Sequence, residues 1–275
     1  MRLSHNLYSL GIYNDYKKTI TSSSSSMSKI SSGLKIQCAK DNPNKMAQNE
    51  GLKIQILNNS AARKNIQDTN SMIQTFDGGM QQMNNSLARL KELTVYAANG
   101  NLQPEDKSKL QIEINSVLAD VDYLAKNTEF NKIKLIDGKD DESIKSLVGS
   151  LEDENVEIPR FDLTISKLFP DGIDVENSRE VTNKAMTDVD NAISKVTKAR
   201  VTYGALQVNI EDTANNMEEM NVSLQKSQSK IGDADIAEEM LKYSQSEILR
   251  KSSIALMAQS NKLPQDALRA LENVK

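Results

Sequence analysis

Side chains that commonly carry chemistry are nearly absent from this chain of 275 residues. It holds one histidine, His5, and one cysteine, Cys38. A lone imidazole cannot supply the paired-histidine ligands of a zinc site. A His5–Cys38 dyad would need a third group to orient the imidazole and a pocket for substrate, and no motif provides either. One thiol excludes an intramolecular disulfide framework, and Cys38 reads as a small packing residue near a helix boundary. No Gly-x-x-x-x-Gly-Lys-Ser/Thr loop is present to cradle phosphate. Two acidic runs, Asp140-Asp141-Glu142 and Glu152-Asp153-Glu154, come nearest to a cation site. They lack the ligand spacing of a calcium loop and read as solvated loop charge. The residues therefore predict no catalytic, metal or cofactor site, and no enzyme.

What the chain has instead is helical periodicity. Ala192, Val196, Ala199, Tyr203, Leu206, Ile210, Thr213, Met217, Met220, Leu224, Ser227 and Ile231 follow one another at alternating steps of four and three. That is the period of a coiled-coil seam, on a helix of about 60 Å. A narrow stripe of this kind cannot be buried by its own helix. A second clean seam runs through Ile66, Ile73, Phe76, Met80, Met83, Leu87, Leu90 and Ala97 and is its natural cover. Gly78-Gly79 interrupts this seam, at about 1 kcal/mol per glycine relative to alanine.

Weaker heptads occupy both ends. Leu3, Leu7, Leu10, Tyr13, Ile20, Met27, Ile30 and Leu34 form one, crossed by the serine run 22–26; Gly33 suits a left-handed stop. Asn42-Pro43 caps and restarts a helix that runs to Ala98. Gln103-Pro104 opens a third, with Leu110, Ile114, Val117, Val121 and Leu124 on one face. After Gly232, Asp233 or Asp235 caps a last helix with Ile236 and Met240 on its stripe. Pro264 predicts a kink or fresh start before Leu268 and Leu271. Between Asp137-Gly138 and Asn177 three short runs, 143–148, 156–158 and 161–165, read as strands.

The fold expected is mainly α: an elongated coiled-coil rod with a small β-hairpin-containing central segment. Residues 1–40 and 233–275 pair as terminal helices, 41–138 and 178–232 form the rod, and 139–177 form a β-containing insert at its far tip. Composition agrees, with 38% hydrophobic residues, 4% aromatics and no Trp, too few for one thick globular core. Lys and Arg number 34 against 38 Asp and Glu, a net charge of −4, so no basic field favours nucleic acid. No run approaches the roughly 18 apolar residues of a membrane span, and the first residues lack a signal-peptide core.

The same residues spell recognisable motifs. Ser31-Ser32-Gly33-Leu34-Lys35-Ile36 with Asp41-Asn42-Pro43, then Asn65-Ile66-Gln67-Asp68, Leu90-Lys91-Glu92-Leu93, Ala97-Ala98-Asn99-Gly100 and Asn127-Thr128-Glu129-Phe130-Asn131, resemble the N-terminal part of bacterial flagellins. Asp233-Ala234-Asp235-Ile236-Ala237-Glu238-Glu239-Met240, Ala258-Gln259-Ser260-Asn261 and Leu263-Pro264-Gln265 are similar to the C-terminal signature of that family. The likeness covers about 1–138 and 180–270. It departs at Lys132, where the family often carries Gly, at Gly232, where it often has a basic residue, at Cys38, at Val208-Asn209, and in a longer, more charged C-terminus.

The resemblance implies an extracellular filament subunit for bacterial motility. It implies polymerisation through the terminal stripes: Leu3, Leu7, Leu10, Ile30, Leu34, Ile236, Met240, Leu263, Leu268 and Leu271. It also implies secretion through the flagellar channel without a cleaved signal peptide. The partners implied are other copies of the chain, hook-associated and cap proteins and an export chaperone, with neither nucleic acid nor membrane among them. Arg89, Leu93 and Glu113 align with flagellin residues recognised by an animal Toll-like receptor; as residue types alone they fit a solvated or subunit-facing helix flank equally well. A hook–filament junction adaptor, which shares the terminal helices, and a secreted coiled-coil effector are the alternative readings. Weak terminal heptads further predict helices that order only on assembly.

Overall fold

The computed structural model describes residues 6–99, 101–138, 143–149, 153–176 and 179–272, with the side chains at 179, 263, 267, 268 and 270–272 outside that description. Leu3, His5, Asp140-Asp141-Glu142, Glu152 and the side chains of Leu263, Leu268 and Leu271 thus lie outside the described residues. Helix α1, Leu7–Ser32, begins at Asn6, whose Oδ1 accepts the Ser9 N–H at 3.1 Å. The serine run stays helical, and Gly33 ends the helix at φ 71°, its N–H donating to the Lys29 carbonyl. Helix α2, Pro43–Ala97, is capped by Asn42, which accepts the Lys45 N–H at 3.1 Å. Helix α3, Pro104–Asn127, starts on proline with Glu105 and Asp106 in its first turn, where acidic groups favour the helix dipole. Gly79 has a packing reason: a Cβ there would stand 2.9 Å from the Thr128 side chain.

Strands β1, Ile144–Leu147, and β2, Asn155–Ile158, pair antiparallel with Ile144 opposite Ile158. The third expected strand, 161–165, does not form. Only an isolated bridge, Asp137 to Asp162, occurs there, because Asp162 accepts the Thr164 N–H and hydroxyl and a short helix α4, Ile165–Leu168, follows. Helix α5 is Arg179–Gly232 and α6 is Ile236–Glu272. Asp235, not Asp233, caps α6, accepting the Ala237 N–H at 2.9 Å. Pro264 neither stops nor restarts α6, which runs through it.

The chain divides into two units, Gln55–Val222 and Met1–Ile54 with Ser223–Lys275, so the boundary runs inside α2 and α5. In the first, α2 and α5 pair antiparallel. Asn59 Nδ2 donates to the Met217 carbonyl at 3.1 Å, Arg200 clamps Asp77, and Lys91 meets Asp190. Between them Ile73, Phe76, Met80, Met83, Leu87 and Leu90 meet Val189, Ala192, Val196, Ala199, Tyr203 and Ile210, with Ile114, Val121 and Ala125 of α3, all fully buried. Each large side chain so buried contributes about 1.5–3 kcal/mol of hydrophobic stabilisation. Along α5 the expected seam holds to Met217 and then shifts: Met220 and Ser227 are exposed, and Asn221 and Gln228 are partly covered in their place.

The central segment is not a separate tip. Ile158, Leu163, Leu168, Phe169, Ile173 and Val175 are buried in the same core, because a segment that apolar needs the helices as cover. Gln111 of α3 ties it down, donating to the Ile173 carbonyl and accepting the Val175 N–H. Asn65 of α2 donates to the Leu147 carbonyl. Tyr203 donates to the Pro159 carbonyl at 2.8 Å, and its ring meets Phe161 edge-on with centroids 5.4 Å apart. Burial pushes the Tyr203 phenol well above its usual range.

Candidate assembly surfaces

In the second unit α1 packs against α6, antiparallel, and the seam between them is polar. The covered positions of α1 are Ser9, Ile12, Tyr16, Thr19, Ser23, Ser26 and Ile30; those of α6 are Glu239, Tyr243, Ser246, Arg250, Ser253, Met257 and Ser260. Both series step by three and four, the heptad spacing. Small hydroxyl residues let the backbones approach, and hydrogen bonds satisfy part of the polar atoms enclosed, while Glu239 Oε2 is buried without one. Asn6 Nδ2 donates to the Ser260 carbonyl at 2.9 Å, Ser9 meets Asn261 at 3.1 Å, and Ser246 reaches Ser22 at 3.4 Å. Where the two helices join α2 and α5, backbone bonds close the unit: Lys35 N–H to Gly232 O, and Ala234 N–H to Gly33 O.

Glu239 is the buried charge of this seam. Burial opposes its ionisation, but hydrogen bonds from Lys242 and Ser26 and the nearby Lys29 outweigh that and hold its carboxyl below the ordinary value. Its Oε1 lies 3.1 Å from Lys242 Nζ and 3.7 Å from Lys29 Nζ. Beside it an open groove of about 820 Å³ is lined by Lys17, Lys18, Lys29, Lys242 and serines.

The apolar terminal stripe therefore faces away from the pairing seam. Leu7 is 77% exposed and Leu10 57%; Leu34, Ile236 and Met240 are also exposed, and only Ile30 turns partly inward. Serine and threonine share the seam with Ile12, Tyr16, Ile30, Tyr243 and Met257, and the leucines of the stripe that are described lie outside it. The exposed surface extends to residues that the periodicity did not single out, Tyr8 on α1 and Leu241, Ile248, Leu249, Ile254 and Leu256 on α6. Their signal was available as large apolar residues left over once a seam of small polar residues is drawn.

In the helical unit, Arg89 of α2 joins Glu92 at 3.0 Å and Glu113 of α3 at 2.8 Å. The hydrogen bond to Glu113, then that to Glu92, holds the guanidinium charge more firmly still. Arg89 and Glu113 are brought together at the surface. Leu93 is not with them, for its side chain is 4% exposed and belongs to the core. Cys38 is free and exposed, in a loop organised by Asp41, which accepts the N–H groups of Gln37 and Cys38. Among the described residues there is no group of acidic, histidine or cysteine side chains that could hold a metal ion, and no helix long and apolar enough to cross a membrane.

Comparison with known proteins accounts for this arrangement. Residues 3–141 match the bacterial flagellin N-terminal helical region and residues 186–271 the bacterial flagellin C-terminal helical region. Flagellin of Bacillus subtilis is 30% identical over 303 residues, spanning 98% of this chain and 100% of that protein. Flagellin of Halalkalibacterium halodurans is 29% identical, and a flagellar filament core protein of Treponema maltophilum 30%, with the same shares of both chains covered. Among solved structures, Bacillus cereus flagellin matches with a TM-score of 0.51 at 24% identity, over 56% of this chain and 88% of that one. A putative hook-associated protein from Vibrio parahaemolyticus matches with 0.61 at 12% identity, over 70% of this chain and all of that one, a likeness of fold. With family regions matched at both ends and relatives aligned along their whole length, this chain belongs to the bacterial flagellins, self-polymerising structural proteins of the extracellular flagellar filament and not enzymes.

Proposed function

We propose that the chain polymerises by burying the outward stripes of α1 and α6 against neighbouring copies. The observation that carries this is the inside-out arrangement of the terminal pair. Its seam mixes serines and threonine with a few apolar and aromatic side chains, while Leu7, Leu10, Ile236, Met240 and Leu241 stand in solvent. A seam of that kind offsets little of the entropy of ordering two helices. Burying the apolar stripes at about 25 cal/mol per Å² supplies what is missing, so the terminal helices gain their stability in the polymer. By sequence spacing alone, Leu3, Leu263, Leu268 and Leu271 belong to the same expected stripes. Hook-associated and cap proteins meet these ends of the filament, and an export chaperone covers them before secretion through the flagellar channel, without a cleaved signal. The test is polymerisation of the purified chain at high salt, followed by negative-stain imaging and pelleting. Wild-type protein gives long filaments; a Leu7→Ser, Leu10→Ser double variant and a chain lacking residues 1–34 stay in the supernatant with the helical unit folded. Filaments from the truncated chain would refute the reading, and no filaments from wild type would favour a junction adaptor.

We also propose recognition by an animal Toll-like receptor at the Arg89–Glu113 face. The exposed, preorganised ion pair supports it, with Leu93 acting from beneath to fix the α2 surface. Receptor binding by monomer should fall for Arg89→Ala, and equal affinity removes Arg89 from the site.

A further inference from the structure

Two methionines stand on the outward surface of the terminal pair, and their placement sets them apart from the others. Met27 is 54% exposed and Met240 48%, whereas Met72, Met80, Met83 and Met217 are buried in the core of the helical unit. Met220 is also exposed, but it lies on α5, away from the terminal pair. Met27 follows Ser26 of α1 by one residue, and Met240 follows Glu239 of α6 by one residue. Ser26 and Glu239 face each other, joined by a side-chain hydrogen bond across the seam. One step along a helix turns about 100°, and from facing positions of antiparallel helices that step leads to the same flank of the pair. The two thioethers therefore stand level on one flank. Tyr13, Ile20 and Ile254, each one residue past a seam position, are exposed along the same flank.

We infer that Met27 and Met240 form an oxidation site that governs assembly: hydrogen peroxide converts them to sulfoxides in the free chain, and the oxidised chain does not polymerise. The inference rests on the filament reading, because it needs this flank to be covered by neighbouring copies. In the reaction a lone pair of the thioether sulfur attacks one peroxide oxygen. The S–O bond forms, the O–O bond breaks, and the departing hydroxide takes up the proton left on the transferred oxygen and leaves as water. Sulfur is oxidised and peroxide is reduced, with no further reactant. The product is a polar, chiral side chain where a flexible apolar one stood. Covering it forfeits the gain of burying the thioether and strips the new oxygen of water. Ile20 and Ile254 on the same flank are inert to peroxide, so the change falls on the two sulfurs. Met72, Met80 and Met83 are shielded by the core, so the helical unit keeps its fold. Once the flank is covered in the polymer the same sulfurs are protected. Oxidation thus stops unassembled chain and spares finished filament.

The test treats the full-length monomer with hydrogen peroxide, maps sulfoxides by peptide mass spectrometry and measures the critical concentration for polymerisation by pelleting. The reading is the ratio of critical concentrations after and before treatment, taken within each variant. Wild type is expected to show a ratio of about ten or more, with near-ultraviolet circular dichroism of the helical unit unchanged. A Met27→Leu, Met240→Leu double variant is expected to show a ratio near one, and Met220→Leu the ratio of wild type. Methionine sulfoxide reductases acting on both epimers should return oxidised wild type to assembly as Met27 and Met240 are reduced. In preformed filaments both sulfurs should oxidise several times more slowly than in monomer. A wild-type ratio near one with both sites oxidised, an equal ratio for the double variant, or no recovery on repair overturns the oxidation site and leaves the terminal-stripe reading to its own Leu7→Ser, Leu10→Ser test. Equal oxidation rates in filament and monomer overturn the protection. No filaments from untreated wild type overturn both readings.

Discussion

Lys132 occupies a backbone conformation that suits glycine, and the consequence is measurable. Asn131 and Lys132 have φ of 50° and 66° and are the two central residues of a tight turn. Phe130 and Ile133 close it by exchanging two backbone hydrogen bonds of 2.9 Å. Positive φ at both central positions is the type I′ arrangement, whose preferred pair is Asn followed by Gly. Asparagine tolerates the left-handed region, but a lysine there holds its Cβ against its own carbonyl at about 1–2 kcal/mol. Lys132→Gly removes that strain and returns about 0.4–1 kcal/mol through the freer unfolded chain. The net expectation is stabilisation of roughly 0.5–1 kcal/mol. For a unit the size of Gln55–Val222 this raises the melting temperature by about 1–4 °C. Lys132 is exposed, so no packing is lost with its side chain. The assay is thermal melting followed by near-ultraviolet circular dichroism, where the enclosed Tyr203–Phe161 pair reports this unit. Lys132→Ala keeps the strain and serves as the control. A lower melting temperature for Lys132→Gly, or an equal gain for Lys132→Ala, refutes the reasoning.

Two further outcomes follow from the same geometry. Tyr203→Phe keeps the ring in the core but leaves the Pro159 carbonyl without its donor, and should cost about 1 kcal/mol, read as a lower denaturant midpoint at unchanged slope. Glu239 ionises more readily in the folded seam than at its ordinary value of 4.5, so its stabilisation is complete above about that pH and is lost as pH falls through the folded-state value. Far-ultraviolet circular dichroism should therefore show helix loss on acidification in wild type, and Glu239→Gln should be weaker near neutral pH but flatter across that range; identical acid profiles would rule out Glu239 as the cause.

The two seams differ in how readily a sequence discloses them, and the difference is physical. The α2–α5 seam was legible because Phe76, Met80, Leu87 and Tyr203 are large, apolar and covered by the chain itself. Helix limits were legible wherever a cap sets them, as at Asn42-Pro43 and Gly33. The α1–α6 seam was not, because many of its positions are small polar residues, among them Ser9, Ser23, Ser26, Ser246 and Ser260, which leave no hydrophobic period. Hydrophobic period shows which face of a helix must leave water, not which neighbour removes it. In a protein that folds alone the two coincide, and in one that polymerises they separate. The outward residues Leu7, Leu10 and Met240 are apolar and uncovered. Arg89 and Glu113 escape the period altogether, since nothing in a charge pattern says that residues 24 apart share an ion pair. Their pairing comes from the turn between α2 and α3, which brings two helix flanks side by side. Large apolar residues left wet beside a polar seam are thus the strongest trace that a filament leaves in the sequence of its subunit.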